Sequence, residues 1–402
     1  MADSERTKYF TQLEKEHGAN NYKPLDVVIE KGDGVWVIDV DGNKYMDMLS
    51  AYSALNQGHR HPKIIEAAHN QLDRVTLTSR AFRNDQFGPF IEKVAEITNK
   101  DLVLPINSGA EAVETALKVA RKWGYENKVP KGEDARIIVC MGNFHGRTIS
   151  IISFSTEPQY KDGFGPFTGG FDIIPYGDIG ALKKAITKNT VGFLVEPIQG
   201  EGGVIVPPEG YLKEAYQITK ENNILFMADE IQTGLGRTGK MFACDHEGVV
   251  PDIYIMGKAL SGGVLPISAI AANKDVLGVI KPGDHGSTYG GNPLASAVGL
   301  ASLEVLLDEK LAENAANMGE YFVDRLWELN SPYVKEIRGK GLLIGVEIKK
   351  EFGEARKYCE QLKNVGILAK ETHDQVVRFA PPLIINKEQI DWAMDRISTV
   401  LK

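Results

Sequence analysis

The sequence predicts an α/β protein, a mostly parallel sheet covered by helices, with a smaller α+β unit attached. Three observations carry this expectation. From about residue 86 onward helical and strand-like segments alternate. Each apolar strand segment follows a helical stretch, so crossover connections must join the strands. Beyond about residue 290 the alternation gives way to a long helix, several short strand-like runs and a closing helix.

The elements follow in order. Residues 26–49, DVVIEKGDGVWVIDVDGNKYMDML, read as a small meander whose turns fall at Asp33-Gly34 and Asp41-Gly42, dipeptides that accept positive φ. FGPFIEKVAEIT and EAVETALKVARKWG read as helices, with DLVLPIN a strand between them. RIIVC, ISIISFS, VGFLVEP, NILFMAD and PDIYIMG read as further strands. Asn292-Pro293 has the form of an N-cap followed by proline at the first helical position, opening a helix through LASAVGLASLEVLL. IRGKGLLIGVEI, GILAKET and VVRFAPPLII then supply the strands of the smaller unit. No internal repeat or low-complexity tract interrupts the chain.

Composition narrows the function. A chain of 402 residues, 43% hydrophobic and 25% charged, is long enough for two or more packed units. Its net charge of -8 supplies no field to gather nucleic acid or an anionic membrane surface. Cys140, Cys244 and Cys359 form neither a CxxC pair nor an even framework, which points to a reducing, cytoplasmic setting and away from a metal site. The opening MADSERTKYF mixes both charges, unlike a secretory or transit leader, and no run approaches the roughly 18 apolar residues of a membrane span.

Gly234-Leu235-Gly236-Arg237-Thr238-Gly239 matches the dinucleotide fingerprint G-x-G-x-x-G. Its context does not. The run does not follow the strand directly, no helical period comes after it, and about 20 positions on stands Lys258 rather than an acid for the ribose. It reads as a loop. A stronger pairing is Asp229, at the C-terminal end of NILFMAD, with Lys258, just past PDIYIMG. Open parallel sheets place ligands at such strand ends. A carboxylate there needs a cationic partner, and the ring nitrogen of pyridoxal 5'-phosphate supplies one, with Lys258 as the covalent anchor. Either residue alone would read as a cap or a solvated lysine; together they favour the cofactor.

Phosphate needs donors. Ser108 and Glu111 fit a capping box, and the small residues Gly109 and Ala110 leave free N–H groups at a helix N-terminus. The loop Gly286-Ser287-Thr288-Tyr289-Gly290-Gly291 is a second candidate cradle, with an ordinary loop the alternative. After RIIVC, Phe144 offers a stacking face and Arg147 a bidentate carboxylate contact, against the plainer readings of a core aromatic and a surface ion pair.

The segments VEPIQGEGG, ADEIQTGLGRTG, GKALSGG, GSTYGGNP and VVRFAPP, in this order and spacing, resemble the class III, ornithine-type aminotransferases of PLP fold type I. NNYKPL, LSAYSALNQGHRHPKI, LTSRAF, NFHGRT and DGFGPF are similar to the ornithine aminotransferase branch, and the likeness runs from about residue 20 to the C-terminus. The resemblance implies a mainly parallel seven-stranded sheet in a large domain, 51–290, and a smaller domain built from both termini, 1–50 and 291–402. It implies a homodimer with shared active sites. It also implies transfer of the δ-amino group of L-ornithine to 2-oxoglutarate, giving glutamate 5-semialdehyde and glutamate in arginine and proline metabolism.

Residue by residue, the resemblance makes Lys258 the Schiff-base lysine and proton shuttle, and Asp229 the pyridinium partner. Gln232 would sit by the ring hydroxyl and Phe144 would stack on the ring. Gly109 and Ala110 would bind the phosphate, and Thr288 would reach the phosphate in the partner subunit. Tyr22 and Arg147 would hold the ornithine carboxylate, and Tyr52 would shape the pocket for ornithine. Arg378 would bind the α-carboxylate of the diacid, with Glu201 masking it while ornithine is bound. His145 departs from relatives that carry tryptophan or tyrosine beside the stacking aromatic. The rival expectations are N-acetylornithine or 4-aminobutyrate transfer on the same fold, a PLP aminomutase or racemase, and a non-catalytic aminotransferase-like regulator.

Overall fold

The computed structural model describes residues 4–402; the first three positions of the N-terminal segment lie outside the described residues. A helix that the sequence reading passed over, Glu5–His17, opens the described chain, capped by the Ser4 side chain. The meander follows as expected: β1 Ile29–Asp33, β2 Trp36–Asp39 and β3 Lys44–Asp47, joined antiparallel. Gly34 and Gly42 sit at φ +58° and +84° in its turns, where a side chain would be strained.

Seven strands form the central sheet: β4 Leu102–Ile106, β5 Arg136–Cys140, β6 Phe171–Ile174, β7 Thr190–Val195, β8 Leu225–Asp229, β9 Ile253–Met256 and β10 Ser268–Ala272. Their spatial order is β4-β10-β9-β8-β7-β5-β6, parallel throughout except that β10 runs against both neighbours. The fold is therefore the expected α/β architecture with a mainly parallel seven-stranded sheet.

Why the central strands are apolar runs follows from their two covered faces. Ile137, Leu194, Met227 and Ile255 point to the face packed by the long helix Gly109–Asn127. Ile138, Phe193 and Phe226 point to the other, under the helix Tyr211–Glu221. Tyr254, Met256, Ala269 and Ala271 face a third cluster shared with the helix Pro293–Asp308. Each fully buried large side chain adds about 2 kcal/mol over leaving it exposed. The Asn292 side chain accepts the Ala295 N–H, so the N-cap with proline behind it stands as read.

Two corrections concern secondary structure. ISIISFS does not form a strand: Ile149–Ser153 is a short helix lying against Gly109–Asn127. An apolar run this short carries no period that separates helix from strand. Conversely β6 and β10 went unread, because FDII and SAIAA are short and flanked by glycine-rich or polar stretches.

The C-terminal part adds β11 Val334–Lys340, β12 Leu343–Ile348, β13 Ile367–Leu368, β14 Lys370–Thr372 and β15 Val376–Phe379, closed by the helix Lys387–Leu401. GILAKET, read as one strand, splits in two. β14 pairs with β15 in the sheet β11-β12-β15-β14, whereas β13 crosses to the meander and pairs parallel with β3, Ile367 opposite Met46. Segments near both termini thus share one sheet. Among the described residues no helix is long and apolar enough to cross a membrane.

Candidate active site

Neighbouring parallel strands deliver their C-terminal ends to one edge of the central sheet. β5 leads into Asn143–Gly146, β7 into Glu196, β8 ends at Asp229, and β9 runs through Gly257 into Lys258. β4, pointing the same way, leads into Ser108 and the helix Gly109–Asn127. Between them lies a cavity of about 220 Å³. Gly109, Ala110, Phe144, Glu201, Asp229, Gln232 and Lys258, all singled out from the sequence, line it together.

Lys258 is the amine of this cavity. Its backbone is held at φ +42° in a single tight turn, and burial draws its pKa below the usual lysine value; the Glu201 charge opposes this and Arg378 reinforces it. Asp229 is buried, accepts the Ile231 N–H at 3.1 Å through Oδ1, and lies 2.6 Å from Nδ1 of His145 through Oδ2. His145 is itself fully enclosed. Burial alone would lower its pKa, yet the Asp229 hydrogen bond and charge raise it above the ordinary value.

Glu196, which the sequence reading took only as a strand tail, completes this buried group. Its Oε2 accepts the Phe144 N–H at 2.9 Å, and burial pushes its pKa up to about 8, with His145 opposing and Asp229 adding to the shift. The available signal was positional: Glu196 directly follows a strand beside the one that ends at Asp229.

At the helix N-terminus the capping box is complete, with Ser108 Oγ accepting the Glu111 N–H and Glu111 Oε2 accepting the Ser108 N–H. Gly109 and Ala110, at the first positions of the helix, have N–H groups without an acceptor in the helix, and both residues line the cavity. Close packing fixes this approach: a Cβ on Gly146, at φ +128°, would lie 2.9 Å from the Ala110 Cβ.

Glu201 and Arg378 form the second feature. Arg378 is 1% exposed, on β15, and its Nη1 lies 2.5 Å from Glu201 Oε1. Gln232 ties in, donating to the same Glu201 oxygen at 3.1 Å. Among the described residues, Nε and Nη2 of Arg378 are buried without a partner. Burial would raise the Glu201 carboxyl, but Arg378 and then Lys258 hold it down at about 2. The Arg378 guanidinium sits 5.1 Å from the Tyr52 ring centre. Tyr52 has its phenol pushed up by burial and by Glu201, with Tyr22 contributing.

Tyr22, Tyr52, Arg147, Thr288 and Arg378 do not line the cavity itself. Tyr22 is exposed. Arg147 is exposed at the rim, its guanidinium 5.8 Å from the Phe144 ring and 4.3 Å from that of Tyr160. Thr288 is exposed on a loop whose Ser287 Oγ accepts from Asn107 Nδ2 at 2.9 Å, next to the helix N-terminus. The glycine run at 234–239 is a loop of turns, as read.

A buried amine, a buried carboxylate, an aromatic face and free helix N–H groups around one cavity suit a phosphorylated pyridine aldehyde, so the residues present fit pyridoxal 5'-phosphate. Residues 17–401 match the model of the family described as aminotransferase class-III. The chain belongs to the class III aminotransferases. As a member it is a PLP-dependent aminotransferase. It is 62% identical to an ornithine aminotransferase of Geobacillus sp. (strain WCH70) over 98% of both chains. With an ornithine aminotransferase of Bacillus subtilis (strain 168) it shares 60% identity over the full length of both. Its fold superposes on the crystal structure of the ornithine aminotransferase from Toxoplasma gondii ME49 with a TM-score of 0.97, at 48% identity, covering 98% of this chain and 94% of that one.

Proposed function

We propose that this class III aminotransferase transfers the δ-amino group of L-ornithine to 2-oxoglutarate, releasing glutamate 5-semialdehyde and glutamate. One observation carries the reading: a buried arginine, Arg378, is masked by Glu201 within the same site as the Lys258 amine and keeps two donors free. Such a site can accept a diamino acid and then a diacid, which a fixed unmasked arginine could not do without presenting the wrong amine. The curated relatives of that activity, aligned over nearly the whole chain, support it.

When bound, the cofactor supplies an electron sink and a store for the nitrogen between the two halves of the reaction. The chain supplies the rest. Asp229, backed by His145, would keep the ring nitrogen protonated. The Lys258 Nζ would anchor the cofactor and move a proton at the substrate carbon, a task that its lowered pKa favours. Phe144 would cover the ring, Gln232 would meet its hydroxyl, and Gly109 and Ala110 would bind the phosphate through their backbone. Arg147 and Tyr22 hold the ornithine carboxylate at the mouth, and Tyr52 shapes the pocket beside Arg378. When the diacid arrives, Glu201 swings away and Arg378 takes the carboxylate, so specificity turns on an ion pair that ligand can open.

The exposure of Thr288 beside the phosphate-facing helix end, outside its own chain's cavity, supports a homodimer in which it completes the partner subunit's site. The sharing of one sheet by β3 and β13 supports a large domain at 51–290 and a small domain formed from 1–50 and 291–402. Three free, buried cysteines suit a cytoplasmic setting, and the reaction suits arginine breakdown or proline synthesis. The test is an assay of the purified protein with ornithine and 2-oxoglutarate, trapping the cyclised product. Product that depends on both substrates supports the reading. Reaction only with N-acetylornithine or 4-aminobutyrate, or isomer formation without the keto acid, would replace it.

A further inference from the structure

The glycine run Gly234–Gly239 fits no phosphate, yet its arginine is among the most deeply enclosed side chains of the protein. Arg237 is 0% exposed and, among the described residues, has no carboxylate within ion-pair distance. Three oxygens from three distant segments hold it instead. Nη1 donates to the Leu342 carbonyl at 3.0 Å and to the Pro381 carbonyl at 2.6 Å, and Nη2 donates to Asn56 Oδ1 at 2.6 Å. Removing a guanidinium from water without a counter-charge is unfavourable, and burial draws its pKa down to about 9, opposed by the charge of Asp47. A costly group kept in such a place calls for a geometric reason.

The reason lies in what each partner segment carries. Pro381 stands three residues past Arg378 on the exit from β15, and Asn56 stands four residues past Tyr52. Arg237 itself follows Asp229 and Gln232 on the loop that leaves β8. Further bonds lock the same three segments together: Asn56 Nδ2 donates to the Leu235 carbonyl at 2.8 Å, the Leu383 N–H to the Asn56 carbonyl at 2.8 Å, and the Leu342 N–H to the Arg237 carbonyl at 3.1 Å. Glycine permits the fit. A Cβ on Gly341, at φ +53°, would come within 2.4 Å of the Thr238 backbone, and one on Gly236, at φ +89°, within 3.0 Å of Leu306 and Leu383.

We infer that Arg237 is a positioning residue for the diacid subsite, a clasp that holds the segments bearing Arg378 and Tyr52 in register with the strand end bearing Asp229. It touches neither cofactor nor substrate. The inference rests on the reading of Arg378 as the receptor for the diacid carboxylate. A lysine at 237 would keep the charge but has no planar fork to satisfy the carbonyls and Asn56 at once. Arg378 would then lose its fixed distance from the reacting centre, while Lys258, Asp229 and the helix N-terminus, all held by the central sheet, would keep theirs.

The experiment compares wild type, Arg237→Lys and Asn56→Ala as cofactor-loaded enzymes, measuring KM and kcat for each substrate, the visible band of the bound cofactor, and direct binding of 2-oxoglutarate by calorimetry. In Arg237→Lys the KM and Kd for 2-oxoglutarate should rise on the order of ten- to a hundredfold, while the cofactor band and the cofactor affinity stay within about threefold. Asn56→Ala, which removes one of the acceptors, should shift the same quantities in the same direction by less, and it carries the test should Arg237→Lys not fold. Unchanged binding of 2-oxoglutarate in both variants would overturn the inference. So would a uniform fall in cofactor affinity and in both substrates' parameters, the mark of a merely structural residue. A wild-type protein that neither binds nor uses 2-oxoglutarate would instead remove the reading beneath it.

Discussion

The carboxylate of Glu201 and the guanidinium of Arg378 lie 2.5 Å apart, yet the arginine keeps Nε and Nη2 without partners in a buried position. This pair is bonded but unsaturated. Glu201 lines the cavity and its side chain is partly exposed, while that of Arg378 is not.

Removing Glu201 should therefore redirect the enzyme rather than disable it. In Glu201→Ala the unmasked Arg378 attracts the ornithine carboxylate and presents the α-amine. The share of δ-transfer should fall on the order of tenfold and the KM for 2-oxoglutarate should drop. Product analysis that separates the cyclised semialdehyde from the α-keto acid checks this; unchanged regiochemistry would refute the masking role.

The pH behaviour of the pair follows from sign. Glu201 has a folded pKa depressed to about 2 from the ordinary 4.5, so its stabilisation is fully present above about pH 4.5 and is lost as pH falls toward 2. No titration of Glu201 should appear in kcat/KM profiles near neutrality. A carboxyl-like inflection there that vanishes in Glu201→Gln would contradict the assignment.

Lys258 has the opposite charge type and its pKa is lowered by burial, so the unfolded chain binds the additional proton. Stability of the cofactor-free protein should rise with pH through the window that ends at the ordinary lysine value of 10.5, and Lys258→Met should lose that rise. Denaturant unfolding of both forms between about pH 8 and about pH 10 measures the difference. Parallel curves would show that the amine is not buried in its charged-disfavouring setting.

His145 holds Asp229 from behind at 2.6 Å. His145→Leu should lower turnover and cofactor affinity roughly ten- to a hundredfold, as loss of outer partners does behind metal ligands. Asp229→Ala should be worse, since it removes the partner of the ring nitrogen and leaves a buried histidine unpaired. Equal losses in the two variants would mean that Asp229 acts only through His145.

Tyr52 lies over the Arg378 guanidinium, on a turn where Ser50, Ala51, Tyr52 and Ser53 all have positive φ. An aliphatic residue at 52 should shift preference from ornithine toward 4-aminobutyrate, which keeps a carboxylate but lacks the α-amine. Ratios of kcat/KM for the two donors check this, and an unchanged ratio removes Tyr52 from the specificity account.

Much of this was legible in the sequence because the central strands obey local rules. NILFMAD and PDIYIMG end where their apolar runs end, so the sequence alone places Asp229 and Lys258 at strand ends. The capping box at Ser108 and the cap at Asn292 were equally local. What could not be read depends on contacts between distant segments. ISIIS is helical because of where it packs, β13 leaves its neighbour β14 for the N-terminal meander, and His145 meets Asp229 across 84 positions. Arg237 was visible only as part of a glycine motif, since its three acceptors come from elsewhere in the chain.

The most direct test of the central claim, that one pyridine ring is gripped between Lys258 and Asp229, is peptide mapping of the cofactor-loaded enzyme after reduction with borohydride. The cofactor mass should appear on the peptide that contains Lys258, and on no peptide of Lys258→Ala. Cofactor fixed to another lysine, with turnover intact in Lys258→Ala, would contradict the account.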